Sequence, residues 1–219
     1  MSKVTKSRKN TAKRIRDRLR TRYLFHVTKG DKAPKLKRAY QRWKTHVVRL
    51  NRAYERQHDP RKRALAYSKT LLGLSEKPPG SNRGGKITDM QLEIGKAFVG
   101  SPWCGTFLLH ILRKVGVKFA NPARVAYVPY IVQDAKAGVN GFKEWKVRSA
   151  GNPGDLISLF GQRHVALVIK KVKGGYITRE GNTSSGITGS QSNGGGSYER
   201  FRPFSDVDGV AVPDYASAY

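Results

Sequence analysis

The chain of 219 residues has one cysteine, Cys104, in the run Ser101-Pro102-Trp103-Cys104-Gly105-Thr106-Phe107. His164 follows at the head of an apolar, β-branched run, and Glu180-Gly181-Asn182 comes sixteen residues later. A thiol, an imidazole and a carboxylate or amide in that chain order are the parts of a cysteine hydrolase. Each type has its task. The thiol attacks as thiolate, although a free thiol has a pKa of about 8.5. The imidazole takes up a proton and later delivers it to the leaving amine, and the third group fixes the ring. A single cysteine also excludes an intrachain disulfide and a multi-cysteine zinc site.

These side chains need particular elements beneath them. Ser101 reads as an N-cap and Pro102 as the first helical residue, opening a helix that runs to about Lys114 before Gly116. Cys104 then lies in the first turn, where unpaired backbone N–H groups and the positive dipole end favour a thiolate. The N–H of Cys104 is there placed to hold a developing oxyanion. Of the other histidines, His26, His46 and His58 fall in a basic helical region. His110 is six residues beyond Cys104 on the same helix and projects elsewhere. That leaves His164 as the base. Glu180 and Asn182, two apart on the strand after the Gly174-Gly175 turn, share a face, so either can reach His164 across the hairpin.

The surroundings divide by charge. Residues 1–77 hold 25 Lys/Arg against 5 Asp/Glu, whereas 78–219 hold 18 against 10. Residues 1–10 are expected to be disordered. Thr11–Thr28, a helix from Pro34 with the stripe Leu36, Tyr40, Trp43, Val47, Leu50 and Tyr54, and a third helix from Asp59-Pro60 make 1–77 a basic, mainly helical region. The Pro/Gly-rich run 78–86 is expected to be a linker. Beyond it, Thr88 with Gln91 resembles a capping box opening a helix to about Phe98, and Asn121-Pro122 starts another. Strands are expected at Leu156–Phe160, His164–Ile169, Tyr176–Glu180 and Val207–Val212, with a mobile loop over 183–197. Helices followed by an antiparallel sheet give residues 87–219 an α+β class. No apolar run reaches the roughly 18 residues of a membrane span, and no apolar stretch follows the basic N-terminus as a secretory signal would require.

Pro102-Trp-Cys-Gly-Thr-Phe opening a helix, Gly154-Asp155-Leu156 before a strand, His164-Val-Ala-Leu-Val and Glu180-Gly-Asn182 together resemble the CHAP family. These are cysteine, histidine-dependent amidohydrolases/peptidases with a papain-like α+β core, in which helices pack on an antiparallel sheet. Pro79-Gly80-Ser81-Asn82 is similar to the lead-in of many phage lysins of this type. The resemblance covers about residues 78–213. It implies Cys104 as nucleophile, His164 as general base, Glu180 orienting the ring and Asn182 supporting or replacing it. The implied reaction is hydrolysis of an amide bond in bacterial peptidoglycan by a monomeric endolysin or virion-associated lysin. Such an enzyme is held in the host cytoplasm until release, or carried in the virion. No cofactor is implied. Some family members bind calcium through an acidic cluster before the cysteine; here only Asp89 and Glu93 stand there, so no metal site is expected.

The basic region marks a polyanionic partner. With a hydrolase attached, anionic wall polymers or a membrane surface bound through 1–77 are the preferred partners. Nucleic acid is the alternative, with Tyr40, Trp43 and Tyr54 as stacking groups, although their place on the apolar stripe favours packing. The rival reading of the whole chain is a basic virion structural or nucleic-acid-binding protein carrying a hydrolase-like domain.

Overall fold

The structure is a computed structural model that describes residues 4–29, 33–186, 189–191 and 193–218, without the side chains of 55–57. The chain forms two compact units, Met1–Asp59 and Pro60–Tyr219. The first is a pair of long helices, α1 (Lys6–Thr28) and α2 (Pro34–His58). Thr5 caps α1 by accepting the backbone N–H of Arg8 at 3.1 Å, so the helix begins inside the stretch expected to be disordered; residues 1–3 lie outside the described residues. Pro34 opens α2 as expected. Along the seam Ala12 packs with Val47 and Leu50 beside Trp43 and Tyr54, and Tyr23 stacks on Tyr40. The apolar stripe of α2 from Tyr40 to Tyr54 therefore packs against α1.

The second unit is α+β. Among the described residues five α-helices, α3 (Pro60–Lys69), α4 (Gly85–Leu92), α5 (Cys104–Lys114), α6 (Pro122–Val125) and α7 (Val128–Ala137), precede six strands. The strands are β1 (Phe142–Lys146), β2 (Leu156–Leu159), β3 (His164–Val172), β4 (Gly175–Thr183), β5 (Gly196–Pro203) and β6 (Val207–Pro213). They form one antiparallel sheet in the order β1-β6-β2-β3-β4-β5. Strand alternation sends Leu156, Val165 and Leu167 toward the helices, where they meet Phe107, Leu108 and Leu112 of α5. Ile157, Ala166 and Val168 point to the other face, where Tyr176, Val207 and Val210 cover them. Every residue of α5 from Cys104 to Leu112 is buried. Gly105 permits this, since a Cβ there would lie 2.2 Å from the Val125 carbonyl oxygen. Among the described residues no helix is long and apolar enough to cross a membrane.

The division between units falls at Asp59/Pro60, not in the run 78–86. Helix α3 belongs with the sheet because Ala64, and Leu71 just after the helix, enter its core, and Arg61 pairs with the buried Asp155 at 2.5 Å. Nor does 78–86 act as a linker. The buried carboxylate of Glu76 needs donors, and it takes the Asn82 N–H (3.0 Å) and the Trp103 indole N–H (2.9 Å). The run is thereby folded back as a turn.

Other boundaries shift for similar reasons. Gln91 forms no capping box; its amide donates to the carbonyls of Asn82 and Ser101. With Ser101 held this way, α5 begins at Cys104 with Trp103 as its cap residue, and Ser101 and Pro102 stay outside the helix. In the expected loop 183–197, β4 extends to Thr183 and the Gly194 N–H donates to the Asn182 carbonyl at 2.9 Å; residues 187, 188 and 192 lie outside the described residues. Strands β1 and β5 have no counterpart in the sequence reading.

Candidate active site

The first residue of α5, the first residue of β3 and the middle of β4 come together at the helix–sheet boundary. At N1, Cys104 carries one of the N–H groups that a helix start leaves without an intrahelical acceptor. The thiol is largely buried, but Cys104 lines a cleft of about 520 Å³. Its lining includes the apolar Phe98, Pro102, Tyr127, Val128 and Pro129 together with Gly161, Gln162 and Arg163.

His164 is fully buried. Its Nε2–H donates to Glu180 Oε2 at 3.0 Å. Its other ring nitrogen, Nδ1, is buried and makes no hydrogen bond of ordinary geometry among the described residues, and Cys104 is the neighbour that acts on the ring from that side. Burial alone pulls the imidazole toward the neutral form. Hydrogen bonding to Cys104 and then to Glu180 overrides it, and the ring is pushed up to about 9. Below that pH the site holds an imidazolium next to the sulfur.

Glu180 is buried too, and burial alone would keep it neutral. Instead Arg202 on the neighbouring strand donates from Nε to Oε1 (2.7 Å) and from Nη2 to Oε2 (2.5 Å), and Thr178 adds its hydroxyl to Oε1 (2.5 Å). With the His164 ring as a further donor, the carboxyl is held down at about 2. Charge therefore alternates along a buried row: Arg202 positive, Glu180 negative, His164 positive. Such a row is tolerable away from water because each charge is matched and hydrogen-bonded.

Cys104, His164 and Glu180 thus meet in one place. Asn182 does not join them. It is buried, but its Nδ2 donates to Asn193 Oδ1 at 3.2 Å and its Oδ1 has no partner among the described residues. The shared strand face is lost because Asn182 is left-handed (φ 59°) and the β4–β5 register shifts between Glu180 and Thr183. The intervening Gly181 lies so close to α5 that a Cβ would sit 2.6 Å from the Trp103 ring and 2.7 Å from Phe107. His110 is elsewhere, between Tyr67 Oη and Glu93 Oε1, both at 2.7 Å.

Two important residues escaped the sequence reading. Arg202 is buried while its neighbour Phe201 is half exposed, the reverse of what hydropathy suggests for a strand. One basic residue in so basic a chain carries no signal; the inverted alternation would have been the clue. Asp208 accepts from Ser158 Oγ (2.8 Å) and from the N–H groups of Gly161 (3.0 Å) and Gln162 (2.8 Å). It thereby pins a turn in which Phe160, Gly161 and Gln162 are all left-handed, at φ 58°, 67° and 64°. That turn lines the cleft through Gly161 and Gln162 and leads into His164.

Among the described residues no group of three or more His, Cys, Asp or Glu is arranged to hold a metal ion. No family model matches the chain, and no curated protein or solved structure matches it.

Proposed function

We propose that the chain is a cysteine amidase or endopeptidase of the CHAP type, with a papain-like arrangement of its second unit, that hydrolyses an amide bond in bacterial peptidoglycan. The observation that carries the chemistry is the buried sequence Cys104–His164–Glu180 opening onto the cleft. The wall as substrate rests on the motif resemblance, together with a basic first unit suited to an anionic surface.

The steps follow from the positions. The Cys104 thiolate, paired with the His164 imidazolium, attacks the carbonyl carbon of the scissile amide and forms a tetrahedral oxyanion near the N–H of Cys104. Collapse breaks the C–N bond as His164 gives its proton to the departing amine. Water then enters, loses a proton to the neutral His164 and attacks the thioester. The acid is released and the thiolate restored. Glu180 keeps Nε2–H engaged throughout, so that Nδ1 is the nitrogen that carries the moving proton.

Digestion of purified peptidoglycan tests this. New primary amines are expected in step with wall clearance, without new reducing sugar ends, and mass spectrometry of the fragments identifies the bond. Reducing ends without amines would mean glycosidic cleavage and end the proposal.

A further inference from the structure

Residues 1–59 hold 20 Lys and Arg against four Asp and Glu. The apolar stripe of α2 from Tyr40 to Tyr54 packs against α1, yet three large apolar side chains near the end of α1 are left out: Leu24, Phe25 and Val27 are 45%, 55% and 46% exposed. Successive helical residues turn by about 100°, so these three span an arc of about 160° on the last turns of α1, with Leu24 between Val27 and Phe25. They make an apolar tip rather than a stripe. Cations surround it: Lys29 Nζ lies 4.5 Å over the Phe25 ring, exposed Arg22 precedes it, and α2 opens with exposed Lys35, Lys37 and Arg38. Tyr23 on Tyr40 keeps the end of α1 beside the start of α2.

An apolar tip within a cationic collar matches a surface that is anionic outside and apolar just beneath, as an acidic phospholipid bilayer is. A nucleic acid or a wall polymer offers the anions but no apolar interior for Leu24 and Val27. The aromatic groups that would stack on bases are also engaged: Tyr40 on Tyr23, Tyr54 on His58 beneath Lys9, and Trp43 in the seam against His46. We propose that the α1/α2 hairpin inserts Leu24, Phe25 and Val27 into the headgroup region of an anionic phospholipid bilayer, with the surrounding Lys and Arg held on the lipid phosphates. The attachment lies in the interface and does not depend on Cys104 chemistry.

The test uses the full chain and vesicles of phosphatidylglycerol with phosphatidylcholine, against phosphatidylcholine alone. Cosedimentation is expected with the anionic vesicles only. Leu24→Ser with Phe25→Ser should weaken it by roughly tenfold or more, while helix content and affinity for double-stranded DNA stay unchanged. In a Phe25→Trp chain, brominated lipid should quench more emission than in the wild type. Failure of the wild-type chain to bind anionic vesicles would overturn the proposal. So would undiminished binding by the double variant, or quenching no greater than wild type. Equal loss of DNA and vesicle binding would also overturn it, by making the tip part of a general polyanion surface.

Discussion

Arg202 and Glu180 face each other across β4 and β5 with both carboxylate oxygens engaged by one guanidinium, and Glu180 passes the same charge on to His164 through Oε2. On the proposed function, Arg202 is a positioning residue one step behind the reacting atoms. Arg202→Gln should leave the buried carboxylate short of a charge partner and cost about 3–5 kcal/mol, the range for breaking a buried pair. Arg202→Lys keeps the charge but not the two-pronged geometry, and should retain part of the stability and less of the activity. Denaturant unfolding alongside wall-hydrolysis rates checks both.

The pH dependence has a definite sign. His164 is raised from the ordinary 6.5 to about 9, so its contribution to stability is complete below pH 6.5 and lost as pH rises through 9. Glu180 is lowered from 4.5 to about 2, so its contribution is present above pH 4.5 and lost as pH falls through 2. The rate, which needs a protonated His164, should fall on the alkaline side near pH 9. Removing the sulfur removes the largest influence that raises the ring, so NMR titration should find His164 well below 9 in Cys104→Ala.

Glu180 and Asn182 should separate by mutation. Glu180→Gln leaves Arg202 facing a neutral amide and weakens the hold on His164, so kcat should drop by one to two orders of magnitude or more. Asn182→Ala removes a side chain whose only polar contact among the described residues is Asn193, and should reduce the rate several-fold at most. Steady-state kinetics on a soluble wall fragment would show equal losses if Asn182 were the orienting group.

The turn before His164 gives another prediction. Asp208→Ala removes the acceptor for the N–H groups of Gly161 and Gln162, releasing three consecutive left-handed residues. Stability should fall by about 1–3 kcal/mol. KM should rise, since Gln162 and Arg163 line the cleft, while the alkaline limit near pH 9 stays in place because the His164–Glu180 contact is untouched.

The part of the site set by local rules was legible in the sequence. Cys104 near a helix start, His164 at a strand start and Glu180 on the following strand follow from Pro102, the β-branched run and the Gly174-Gly175 turn. Relationships spanning long stretches of chain were hidden. Arg202 reads as one more surface cation until Glu180 is beside it, and the run 78–86 reads as a linker until the buried Glu76 calls on Asn82 and Trp103. Asn182 misled because period-two alternation assumes extended backbone, and its left-handed φ breaks that assumption.

The most direct measurement is amine release from purified peptidoglycan at pH 7 by wild-type chain and by Cys104→Ala, the two matched for folding by circular dichroism. With Cys104 as nucleophile the variant should lose at least 10³-fold in rate. A folded Cys104→Ala protein releasing amines as fast as wild type would contradict the account, because no other group in the cleft is assigned the attack.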